Sequence, residues 1–210
     1  MKKFAKHSLF ALSLAIAATF NPAQAATTTG YELVTPAQPT REFNKVEVIE
    51  FFWYGCPHCF DFEPTLAKWV KNLPSNVVFI RQPAVFSDLW GKHAKAYYTA
   101  EALGIVDKVH QDFFDAIQTK KEHLETEEQL AKFFAAHGVG ESEFKAAYGS
   151  FLVDTKVRQA ATLAAKYGIT GVPAIVINGK YKTSGPVAGS HEKMIEVMNT
   201  LIKQESAPKK

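Results

Sequence analysis

The sequence predicts an α/β fold in which a helical domain interrupts one β-sheet. Two β-branched and aromatic runs, Val46–Phe52 and Val77–Ile80, flank a stretch with apolar residues at helical spacing. From about Phe86 to Ala160 helical patterns follow one another with little strand signal, and strand-forming residues return at Ala174–Thr183. The order is βαβ, helices, ββα.

The first 25 residues stand apart. Lys2, Lys3 and Lys6 give a positive start, Leu9 to Ala18 is a short apolar run, and Ala23-Gln24-Ala25 has the small-x-small pattern of a signal-peptidase site. The apolar run falls short of the roughly 18 residues that a membrane span requires. Residues 1–25 are therefore expected to be a cleaved secretory signal. What remains is expected to be soluble and exported to the bacterial periplasm.

Ala26 to Asn44 lacks periodicity and reads as an extended lead-in to the strand at Val46–Phe52. Beyond it, Phe62, Leu66, Trp69, Val70 and Leu73 mark a helix kinked by Pro64, which ends at Leu73-Pro74 before the strand Val77–Ile80. In the helical block, Leu89–Leu103 and Val106–Ile117 are helices. Thr126-Glu127-Glu128-Gln129 is a capping-box pattern opening another, which Gly138 closes, and Glu141–Tyr148 and Phe151–Tyr167 complete the set. Asn178-Gly179, between Ala174–Ile177 and Lys180–Thr183, signals a hairpin with a type I′ turn. A last helix from Ser190 carries Met194, Val197, Met198 and Leu201 on one face. The expected division is a sheet domain of residues 26–85 and 161–205, with residues 86–160 as the inserted helical domain.

The chain has 24 Lys+Arg and 21 Asp+Glu, and the three lysines within residues 1–25 leave 21 of each in the remainder. A neutral chain without a basic run is a poor binder of nucleic acid, so neither DNA nor RNA is expected as a partner. Sixteen phenylalanines can fill a large core, whereas the only two cysteines sit in Cys56-Pro57-His58-Cys59. A bridge across two residues closes almost no loop and stabilises little, so the pair is kept for reactivity. Zinc would need two more ligands, and His93, His110, His123, His137 and His191 are scattered singly. No metal is expected, and no cofactor beyond the redox-active Cys56–Cys59 disulfide.

Pro57 sets the geometry of the motif. The residue before a proline is pushed out of helical geometry, while proline suits the first helical position, so Cys56 falls at an N-cap with His58 and Cys59 in the first turn. Residues three apart in a regular helix have Cβ atoms about 5–6 Å apart, and a disulfide needs about 3.5–4.5 Å; moving Cys56 out of the helix closes that gap. At an N-cap the sulfur faces free backbone N–H groups and the positive end of the helix dipole, and a protonated His58 adds to both. Cys56 is expected to have a lowered pKa and Cys59 to stay a thiol. Stabilising the thiolate stabilises the reduced form, which makes the oxidised form a stronger oxidant.

Glu50 shares a strand face with Val46, Val48 and Phe52, so its carboxylate lies among apolar residues and needs a partner. Arg81, on the same face of the next strand as Val77 and Phe79, is expected to meet it beneath Cys59. Trp53 and Tyr54 before the motif, and Phe60 and Phe62 after it, divide between core and surface in a way the sequence leaves open.

A strand, Cys56-Pro57-His58-Cys59, a kinked helix, a helical insert and then Gly171-Val172-Pro173 before a hairpin resemble the DsbA family of thiol:disulfide interchange proteins over nearly all of the chain beyond residue 25. The Pro-His pair between the cysteines is that family's own choice and more specific than Cys-x-x-Cys. The resemblance implies a thioredoxin-like fold with an inserted helical domain, Cys56 as the exposed nucleophile and Cys59 as its buried partner. It also implies a cis Val172–Pro173 bond facing the disulfide, with the Val172 backbone free to pair with a substrate chain; the alternative is a trans proline opening a strand. Glu63 matches an acid that the family has near the site. Arg81 stands where the family has lysine, and arginine does not release its proton, so any relay must use Glu50 or water.

The expected function is that of a protein disulfide oxidoreductase, a dithiol oxidase that donates its Cys56–Cys59 disulfide to reduced, newly exported client proteins. Re-oxidation by a DsbB-like membrane oxidase and a monomeric state are expected with it. A reductase or isomerase of the same superfamily is the nearest rival, and a metal-binding or chaperone-like module the rival from another class.

Overall fold

Seven consecutive buried residues make Val46–Phe52, strand β2, a fully covered interior strand of the sheet in this computed structural model, which describes residues 30–42 and 44–207. The signal-peptide reading of residues 1–25 lies outside the described residues. Around β2 the chain runs β1 (Glu32–Leu33), α1 (Pro57–Val70), β3 (Val77–Pro83), α2 (Asp88–Ala102), α3 (Val106–Gln118), α4 (Glu127–Ala136), α5 (Glu141–Tyr148), α6 (Phe151–Lys166), β4 (Ala174–Ile177), β5 (Tyr181–Ser184), the single turn α7 (Gly185–Ala188) and α8 (His191–Ser206). The sheet order is β1-β5-β4-β2-β3, with β3 parallel to β2 and the other pairs antiparallel.

Strand alternation assigns the layers. Val46 and Val48 pack with Phe62 and Leu66 of α1 and with Met194, Met198 and Leu201 of α8. Ile49 and Phe51 point the other way, against Ala164 in the last turn of α6 and Tyr167 and Ile169 beyond it. Phe52, at the end of β2, leaves the sheet core and inserts among the helices, with its ring 5.5 Å from that of Tyr97 and 5.1 Å from His110. The helical block has its own core of Phe113, Phe114, Leu130, Phe134 and Phe144. Helix α6 belongs to both layers: Val153 and Ala160 face the helices, Ala164 the sheet.

Local signals account for most boundaries. The Thr126 hydroxyl accepts from the Gln129 N–H at 3.2 Å and the Gln129 side chain accepts from the Thr126 N–H at 3.0 Å, completing the expected capping box. Asn178 and Gly179 have φ of 51° and 67°, the pair of positive angles that a type I′ turn needs. Strand β3 runs on to Pro83, beyond the expected Ile80, because β2 pairs with it in register as far as Phe52. Two elements had no sequence signal. β1 is held by backbone pairing to the edge of β5, with exposed side chains and no alternation to read. α7 is only four residues long. Among the described residues no helix is long and apolar enough to cross a membrane.

Candidate active site

Cys56 is the N-cap of α1, with extended backbone at φ −90° and ψ 114°, and Pro57 occupies the first turn. The sequence placed it there for the reason the structure displays: proline both excludes its predecessor from the helix and starts it. The Cys59 N–H donates to Cys56 Sγ at 3.3 Å. The Cys59 thiol, this N–H, the His58 N–H and the charge of His58 together outweigh burial and lower Cys56 from 9.0 to about 6. Cys59 has no exposed surface, and burial pushes its thiol well above the ordinary value. Both cysteines are free thiols. Cys56 itself keeps only 8% of its surface, less than an exposed nucleophile was expected to have. The cause is the loop from β4's side of the sheet, whose Val172 carbonyl accepts from Cys56 Sγ at 3.4 Å. The Val172–Pro173 bond is cis, and His58 and Pro57 beside the sulfur are exposed.

Beneath the motif lie three buried ionisable groups, Glu50, Glu63 and His110, and the partly buried Arg81. Glu50 and Arg81 are register neighbours on β2 and β3, with Arg81 Nε 3.5 Å from Glu50 Oε2. Arg81 is claimed more closely by Glu63 of α1, at 2.5 Å from Nη2 to Oε1. Burial, together with the Glu63 charge, raises Glu50 from 4.5 to about 8 against the pull of Arg81. Glu63 goes the other way: burial would raise it, but His110 and Arg81 prevail and lower it. The two carboxyls thus share one guanidinium, and at neutral pH the arrangement favours one proton on Glu50 and none on Glu63.

The turn before the motif is gripped from the helical block. Trp53 Nε1 donates to His93 Nδ1 at 3.0 Å, and the Trp53 ring stacks on Trp90 at 4.2 Å. Tyr54 OH lies 2.8 Å from His110 Nδ1, and Gln118 Nε2 donates to the Tyr54 carbonyl at 2.8 Å. Of the four rings flanking the motif, Tyr54 and Phe62 are core and Trp53 and Phe60 half-buried. On the other side of His58 a groove of about 730 Å³ opens between the loop Gly168–Ala174, with Val172 and Pro173, and the segment Lys182–Glu192. Among the described residues no three His, Cys, Asp or Glu side chains are grouped to hold a metal.

Residues 47–194 match the family model described as DSBA-like thioredoxin domain. The chain belongs to the DsbA family. Proteins named thiol:disulfide interchange protein DsbA are similar to it along most of their length. The one from Burkholderia cepacia is 43% identical over 206 residues, covering 97% of each chain. That from Azotobacter vinelandii is 42% identical over 198 residues, covering 94% of this chain and 92% of the other. Among solved structures, the crystal structure of Pseudomonas aeruginosa DsbA superposes with a TM-score of 0.81 at 38% identity, covering 84% of this chain and 92% of that one. The fold is therefore thioredoxin-like with the helices of the DsbA family, and the protein is a thiol:disulfide oxidoreductase.

Within this DsbA-family site the structure brings Cys56, Pro57, His58, Cys59, Val172 and Pro173 together, with Pro57 and His58 exposed, Cys59 fully buried and Glu50 beneath. Sequence reasoning paired Glu50 with Arg81 alone. The guanidinium's closest partner is Glu63, because α1 crosses that face of the sheet and points Glu63 down at β3. His93, His110 and Gln118 were missed altogether. A signal existed for the histidines: each lies on the apolar stripe of its helix, His93 beside Ala94 and Tyr97, His110 between Val109 and Phe113.

Proposed function

We propose that Cys56 is the attacked and then the leaving sulfur of a disulfide donor whose clients are reduced, unfolded chains. A client thiolate attacks Cys56 of the oxidised protein, the Cys56–Cys59 bond breaks, and its electron pair leaves on Cys59, which takes up a proton. A second client thiolate then attacks the client sulfur of the mixed disulfide, and Cys56 leaves as thiolate. The observation that carries this reading is the sulfur of Cys56 held at a helix start by the Cys59 N–H and lowered to about 6. At pH 7 this favours the reduced form by up to about 30 mV in a two-electron couple, less as solvent screens the sulfur.

Val172 and Pro173 are proposed to hold the client. The Val172 carbonyl already accepts from Cys56 Sγ, so a client strand beside it would bring its own sulfur in line. His58 adds positive charge at the sulfur and Pro57 fixes the cap. Glu50 is proposed to exchange the proton of Cys59, since Glu50 lies close enough to Cys59 to raise its pKa further and titrates at about 8 itself. Return of the disulfide is assigned to a DsbB-like membrane oxidase, and the working form to a monomer in the periplasm. The signal layout of residues 1–25 supports export, and the alternating cores support the division into residues 26–85 with 161–205 and an inserted 86–160.

The test is a redox titration against glutathione together with a thiolate titration. An oxidase should show a high potential and a thiolate midpoint near 6; a reductase would show a much lower potential. Cys56→Ser should lose all oxidation of reduced peptides, and residual activity in that variant would reassign the nucleophile.

A further inference from the structure

We propose that His110, on α3 of the helical block, is a positioning residue for the thiol chemistry: its ring N–H holds Glu63 on Arg81 and so leaves Glu50 free to trade a proton with Cys59. This rests on the role proposed above for Glu50. Two buried atoms with no hydrogen-bond partner, His110 Nε2 and Glu63 Oε2, face each other at 3.5 Å, close enough for a small shift of either side chain to join them. The other ring nitrogen lies 2.8 Å from Tyr54 OH. If Tyr54 donates there, Nδ1 is the acceptor and Nε2 must carry the proton, which then points at Glu63. Glu63 thus holds Arg81 at 2.5 Å and has a second N–H, that of His110, aimed at its other oxygen from 3.5 Å, whereas Glu50 has Arg81 Nε alone, also at 3.5 Å.

The groups facing His110 come from every element packed on it: Glu63 of α1, Arg81 of β3, Tyr54 of the turn before α1, Tyr97 of α2, and Asp107 one turn back on α3. Burial lowers His110, so it serves as a neutral donor rather than a cation. With one guanidinium between two buried carboxyls, the second donor decides which of them stays anionic. Remove that donor and Glu63 becomes the easier group to protonate. Arg81 then turns to Glu50, which ionises at lower pH and no longer matches the Cys59 thiol.

The measurement is the rate at which Cys59 displaces glutathione from Cys56 in the full-length protein, followed by tryptophan fluorescence in stopped flow across a pH series. In the unaltered protein the rate should rise through an inflection set by Glu50. In His110→Phe, which keeps the ring volume and loses the N–H, the inflection should move down by about one pH unit, roughly a tenfold change in the carboxyl's ionisation constant. His110→Gln, whose amide N–H can reach Glu63, should restore it. An unmoved inflection in His110→Phe, with Glu50→Gln abolishing it, would overturn the inference and leave the Glu50 role standing. An inflection that survives Glu50→Gln would remove the Glu50 role and this inference with it. Should His110→Phe not fold, Tyr54→Phe serves instead, since it frees the ring tautomer: a smaller downward shift supports the inference and none refutes it.

Discussion

A single backbone N–H, that of Cys59 3.3 Å from Cys56 Sγ, illustrates how much chemistry one residue's placement can carry. Because the folded pKa of Cys56 is depressed, from 9.0 to about 6, its thiolate stabilises the reduced fold fully above 9.0, and that contribution is lost as pH falls through about 6. The oxidised form has no such group. The melting temperature of the reduced protein should therefore fall relative to that of the oxidised protein as a scan is taken to acid pH. Glu50 has the opposite sign. Its folded pKa is raised from 4.5 to about 8, so burial of the carboxylate costs nothing below 4.5 and its full amount above about 8. Glu50→Gln should accordingly stabilise the fold more at alkaline than at acid pH, by about 2 kcal/mol in urea unfolding, since Arg81 keeps Glu63 as a partner. A pH-independent difference would mean that Glu50 is already solvated.

Elements carry the next set of consequences. Helix α4 opens on a closed capping box far from the cysteines, so Thr126→Ala should cost about 1 kcal/mol while leaving the Cys56 titration unmoved. The hairpin between β4 and β5 depends on Gly179, where φ is 67° and a Cβ would stand 2.0 Å from the Gln38 carbonyl oxygen. Gly179→Ala should lose more than about 1 kcal/mol by chemical denaturation, with the lead-in segment displaced from the turn. These elements were legible in the chain because their causes are local. A proline after Cys56, a threonine three before a glutamine, and Asn-Gly between two strand-forming runs each act within a few residues. β1 was not legible, since two exposed residues take strand form only because β5 offers an open edge.

At the scale of the molecule, the last residue of β2 joins the two cores. Phe52 is fully buried, with its ring against Tyr54, Tyr97 and His110, although its strand neighbours Val46 and Val48 pack under α1 and α8. Phe52→Ala should cost about 3–5 kcal/mol. It should also loosen the turn that the helical block grips through Trp53–His93 and Tyr54–His110, visible as faster amide exchange across residues 53–59.

The sequence by itself determined the chemistry of the surface motif: two cysteines, a proline that puts the first at a helix start, and a strand face that buries Glu50. Each follows from backbone sterics or strand alternation, which are short-range. Only the tertiary structure decided how the buried charge is shared, because Glu50, Glu63, Arg81 and His110 come from four different elements. It also decided that Val172, distant in the chain, caps Cys56 and leaves it 8% exposed. Charges buried together settle their protons by distances of a few ångströms, and those distances exist only once the helical block has closed over the sheet.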